Sequence, residues 1–137
     1  MAQYATAQKF DSTISESAST ETCDEPVIDL VHLSRQTLGD MALETELLRL
    51  FEAQARAFEE RLRAPVGQVE STQDIKQRID LAHTLKGSSR AIGAFALADA
   101  AETYEDALRA NAPDAGPALR RLVAALESAQ FKISQLL

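Results

Sequence analysis

One cysteine in 137 residues leaves this chain no internal disulfide, and Cys23 stands in a polar stretch with no metal-ligand spacing around it. A reducing compartment, the cytoplasm, is the expected setting. Tryptophan is absent, and glycine (5) and proline (4) are scarce beside plentiful alanine and leucine, a balance that favours helix over sheet. Basic residues are outnumbered, 14 against 21 acidic ones. The formal net charge of -7 removes the basic footprint that a nucleic-acid binder needs and disfavours an anionic membrane surface. No apolar run approaches the roughly 20 residues that span a bilayer, and the first residues have neither the charged n-region nor the apolar h-region of a signal peptide. Two histidines and one cysteine, none in ligand spacing, give no expectation of a metal site. No glycine-rich phosphate loop is present, so the chain is not expected to be its own ATP-dependent kinase.

What remains is 45% hydrophobic and 26% charged, enough for one soluble domain with a core that needs no cross-link. Residues 1–26 read as a flexible tail. From Ser12 to Thr22 the chain is almost all Ser, Thr, Glu and Ala, with Ile14 the only large apolar side chain, too little to drive burial. Pro26 marks the boundary, and residues 27–137 read as the folded domain. Asp29 is a plausible N-cap for a short helix through Leu38, closed by Gly39. Asp40 then caps a long helix whose apolar positions Leu43, Leu47, Leu50, Phe51, Ala55, Phe58 and Leu62 recur in steps of three and four, up to Pro65 and Gly67. A further helix begins near Thr72 or Gln73, with Ile75, Ile79, Ala82, Leu85, Ser89 and Ile92 inward. Gly93 breaks it before the next, which carries Phe95, Leu97, Ala98, Ala101, Tyr104, Glu105 and Leu108. Asn111 to Gly116 reads as a loop, and Pro117 suits the first turn of a last helix with Leu119, Leu122, Val123, Leu126, Ile133 and Leu136 inward. The expected fold is all-α: an antiparallel up-down four-helix bundle with a short extra N-terminal helix.

The most informative run is Leu81-Ala82-His83-Thr84-Leu85-Lys86-Gly87-Ser88-Ser89. At about 100° per residue, Ile75, Ala82, Leu85, Ser89 and Ile92 gather on the core arc. His83 lies off that arc, with Lys86 and Gly87 one turn on, Arg90 two turns on, and Ile79 and Lys76 on the preceding turns. Cations around one surface histidine reverse the charge of an acidic chain. An imidazole in water, with an ordinary pKa of about 6.5, is largely neutral at pH 7 and nucleophilic. Phosphoryl transfer to it is chiefly in-line positioning and stabilisation of spread negative charge, which Lys86 can supply. Gly87 lacks a Cβ, so a partner's backbone can approach closely. A glycine inside a helix costs about 1 kcal/mol relative to alanine and wants such a reason. Ser88 and Ser89 let a neighbouring helix pack tightly, and Ser89 is expected to bond a carbonyl one turn back. His32 has no cation or glycine at matching spacing and reads as an ordinary surface histidine.

The run Ala82-His83-Thr84-Leu85-Lys86-Gly87-Ser88-Ser89, followed by Ile92-Gly93-Ala94 and by Leu97 and Glu105, resembles the histidine-containing phosphotransfer (HPt) domain of bacterial phosphorelays. Asp29 to Phe51, with Leu33, Gly39-Asp40, Leu47-Leu48 and Phe51, resembles the approach to that family's first long helix, so the resemblance spans about residues 28 to 136. It implies that His83 is the phosphoacceptor, that Lys86 steadies the phosphoryl oxygens and that Gly87 leaves room for the partner. That partner would be a response-regulator receiver domain, including one belonging to a hybrid histidine kinase, whose aspartyl phosphate and Mg²⁺ complete the site. No cofactor or metal is implied on this chain, which would be a stoichiometric phosphocarrier and not an enzyme. Arg90 and Ala91 depart from the family's common small residue and asparagine. Arg90 either tunes partner choice, contacts the phosphoryl group, or is a solvated surface charge.

Lys76, Ile79, Ala82 and Arg90 are expected to line the docking surface around His83, an apolar patch with a cationic rim suited to an acidic pocket. The alternative is a helical binding module that docks a receiver or other signalling partner and never carries phosphate. A monomer is expected, and Met1 favours a free-standing protein over a piece of a sensor kinase.

Overall fold

Asp29 starts the first helix as its side chain predicts, accepting hydrogen bonds at Oδ1 from the N–H groups of Val31 and His32, each 3.1 Å. The computed structural model describes residues 26–63, 72–111 and 115–137. Residues 1–25 of the tail expected over residues 1–26, and the loop at Pro65 and Gly67, lie outside the described residues. Five helices follow in order: α1 (Leu30–Gln36), α2 (Met41–Arg63), α3 (Thr72–Ala91), α4 (Phe95–Arg109) and α5 (Ala115–Leu136). No strand occurs among the described residues.

α1 stops two residues before the expected Leu38, because Leu38 (φ 54°) and Gly39 (φ 79°) turn into the left-handed region and reverse the chain. Asp40 Oδ1 then accepts from the N–H of Leu43, 3.1 Å, at the start of α2. In α2 the buried positions are Leu48, Phe51, Ala55, Phe58 and Leu62. Leu43 and Leu50, expected on this stripe, are exposed. The three- and four-residue steps leading back from Ala55 pass through Phe51 to Leu48 and leave Leu50 about a quarter-turn outside.

α3 buries Ala82, Leu85 and Ser89, with Ile92 just beyond its end, while Ile75 and Ile79 are only half-buried. Their inward place is taken by Arg78, 8% exposed, whose Nη1 donates to Tyr104 Oη at 3.0 Å and approaches the Leu62 carbonyl at 3.5 Å. Ser89 Oγ is buried with no hydrogen-bond partner, so the expected bond to a carbonyl one turn back is not made. α5 begins at Ala115, before the loop was expected to end, and keeps Pro117 in its first turn. Its buried face is Ala118, Leu122, Leu126, Ala129 and Ile133.

The four long helices close a ring in which α2 packs on α3, α3 on α4, α4 on α5 and α5 back on α2. Consecutive helices run antiparallel, giving the all-α up-down bundle. α1 lies over the turn from α3 to α4. There Gly93 adopts φ +85° and its carbonyl accepts from the Asp29 N–H at 2.9 Å. A Cβ at Gly93 would sit 2.7 Å from the Asp29 carbonyl oxygen, so only glycine fits. The His32 ring meets Phe95 edge-on at 5.1 Å, an ordinary packing contact.

Candidate functional site

α3 presents His83 on the side that faces α4, and α4 answers with a carboxylate. Periodicity accounts for both placements: His83 lies one 100° step beyond the buried Ala82, at the rim of the core arc, while Glu105 sits within the apolar stripe of α4. The His83 side chain is 63% exposed, and its Nδ1 lies 3.1 Å from Glu105 Oε2. Glu105 is nearly sealed, its side chain 5% exposed. Its Oε1 takes Lys86 Nζ at 3.2 Å, and its Oε2 takes Arg109 Nε at 3.1 Å and Nη2 at 2.8 Å. One buried carboxylate therefore holds a histidine and a lysine from α3 and an arginine from its own next turn.

Burial pushes the Glu105 carboxyl up, but the hydrogen bonds from Arg109, Lys86 and His83 outweigh it, and the group lies below the ordinary glutamate value. An ionised carboxylate only accepts, so His83 Nδ1 must be the donor of the pair. The lone pair is then left on Nε2, across the ring from the anchored edge. An exposed imidazole held in one tautomer by a buried anion is equipped to act as a nucleophile at Nε2.

Gly87 is exposed, and a Cβ there would meet nothing within 4 Å, so the space outside α3 at this point is open. Arg90 is exposed and paired with Glu102 of α4 at 3.3 Å, which makes it part of a surface ion pair. Lys76 is exposed two turns before His83, and Ile79 is half-buried. Ala82 corrects the expected docking surface. It is 1% exposed and belongs to the core, because the arc of Leu85 and Ser89 that carries it inward leaves no part of it for a partner. A groove between α2 and α3 is lined by Leu47, Leu50, Phe51, Gln54, Ser88 and Ala91.

Glu105 was expected on the inward face of its helix and among the residues that carry the resemblance, but with no role at His83, and Arg109 with none at all. A signal for both exists: an acidic residue inside an apolar stripe, four positions before an arginine, wants a buried partner. Among the described residues no group of three or more His, Cys, Asp or Glu side chains gathers as a metal site, and no helix is long and apolar enough to cross a membrane.

The chain matches the family model of the Hpt domain over residues 46–131, a span that includes α3 and α4 entire. No match is found among curated proteins or among solved structures.

Proposed function

This chain belongs to the Hpt domain family, and from that premise we propose that it shuttles a phosphoryl group between His83 and the aspartate of response-regulator receiver domains. The observation that carries the reading is the contact of His83 Nδ1 with the buried Glu105 carboxylate at 3.1 Å while the His83 side chain stays mostly exposed. In the transfer, His83 Nε2 attacks the phosphorus of the receiver's aspartyl phosphate. The Nε2–P bond forms, the P–O bond breaks, and its electron pair leaves on the receiver's carboxylate. The Nδ1 proton stays in place, so the ring takes on positive charge, which Glu105 offsets. Lys86, one turn from His83, supplies positive charge to the phosphoryl oxygens. The open flank at Gly87 admits the receiver's backbone, and Lys76, Ile79 and Arg90 lie around it.

Both bonds, phosphoramidate and acyl phosphate, are high in energy. The step is reversible, and a second receiver unloads His83 by the same path. Members of this family are phosphocarriers, and on this reading the chain needs no nucleotide or metal of its own, Mg²⁺ being held by the receiver.

The test is transfer from a panel of phosphorylated receivers to the wild-type protein and to His83→Gln. Acid-labile, base-stable label on the wild type and none on the variant is the expected result. No label from any receiver, with receiver binding kept by both proteins, would replace the carrier by a binding module.

A further inference from the structure

Glu105 is asked to do two things at once in the transfer. It must keep His83 oriented through Nδ1, and it must release Lys86 toward the phosphoryl oxygens. Lys86 Nζ sits on Oε1 at 3.2 Å in the free protein, with its side chain only 18% exposed. If that lysine left a carboxylate this buried with nothing but a histidine, the remaining charge would be poorly satisfied, and a buried anion that loses a partner is costly. Arg109 changes this. Its Nε and Nη2 both converge on Oε2, at 3.1 and 2.8 Å, and neither bond depends on Lys86.

Resting on the carrier reading above, we infer that Arg109 is a positioning residue for phosphotransfer: it clamps Glu105 so that the carboxylate keeps His83 in its reactive tautomer while Lys86 moves to the phosphoryl group. The hydrogen bonds that Arg109 makes here go to Glu105 Oε2, and it acts through that carboxylate. The groups that meet Glu105 are His83 and Lys86 from α3 and Arg109 from α4, while the neighbouring Arg90 is turned to Glu102. An i,i+4 pair of this kind on an exposed helix face contributes little. Here the acceptor is nearly sealed from water, which is what gives the arginine leverage.

The Arg109 side chain is more than half exposed (56%), so its loss is not expected to unfold the bundle. Arg109→Ala is expected to accept phosphoryl from a phosphorylated receiver about tenfold more slowly, equivalent to about 1.4 kcal/mol in the barrier. The ¹⁵N shifts of the His83 ring should at the same time lose the pattern of a proton fixed on Nδ1. Arg109→Lys, which restores the charge, should recover most of both. In a Glu105→Gln background the Arg109→Ala change should add nothing, since the two act through one contact.

Wild-type rate and wild-type ¹⁵N pattern in Arg109→Ala would overturn the inference, as would an equal further loss in the Glu105→Gln background. Label gained at the same rate by wild type and Arg109→Ala defeats the arginine's role and leaves the carrier standing. No label on the wild type at all defeats the carrier, and the arginine's role with it.

Discussion

A methyl group added at Gly87 would meet nothing within 4 Å, so Gly87→Ala fits the free protein. Because it removes a glycine from a helix interior, it is expected to stabilise the fold by about 0.5–1 kcal/mol, read as a higher urea midpoint. The same variant should take phosphoryl more slowly from a receiver, since the methyl occupies the space that a docking backbone needs. A lower midpoint, or unchanged transfer, would mean that the glycine serves something other than approach. That His83, Lys86 and Gly87 stand close together on one helix was legible from the sequence, because steps of three and four fix their relation. The grip of Glu105 on His83 joins residues 22 apart on different helices, and no periodicity within α3 foretells it. Ala82 was expected both on the core arc and on the docking surface, and the structure keeps only the first. One 100° step from His83 carries it into the core and leaves it no surface for a partner.

The clearest element-level constraint is the seat of α1 on the turn between α3 and α4. Gly93 is left-handed, and a Cβ there would strike the Asp29 carbonyl oxygen at 2.7 Å and the Asp29 nitrogen at 3.1 Å. Gly93→Ala therefore combines backbone strain with a clash against backbone that has no flexible end to yield. It is expected to cost about 2 kcal/mol or more in urea unfolding, with α1 lifted from its seat. A loss below about 0.5 kcal/mol would show that α1 rides freely on this turn. The starts of helices were readable, because Asp29 and Asp40 cap with their own side chains and Pro117 belongs in a first turn. Their ends and faces were less so. The leucine-rich start of α2 offers several apolar stripes, and only packing against the other helices selects Leu48 over Leu43 and Leu50.

For the whole molecule, the site carboxylate ties function to acid stability. The folded Glu105 lies below the ordinary glutamate value of about 4.3, so the folded state binds its proton less readily than the unfolded chain does. Its contribution is thus complete above that ordinary value and is lost as pH falls through the lowered folded one. In urea unfolding from about pH 7 down to about pH 3, the stability gap between wild type and Glu105→Gln should narrow. A gap that stays constant would separate the carboxylate's charge from the fold. The all-α class was plain from composition and period, but the burial of a charged residue between the helices was not. Arg78 sits at an apolar-looking position, satisfied by Tyr104 and the Leu62 carbonyl. Those contacts fasten three helices at one level, five residues below His83. Sliding α3 along α4 by a single residue's rise, about 1.5 Å, would pull on that fastening and on the His83–Glu105 contact together. The bundle thus resists shear along the seam where a partner would press.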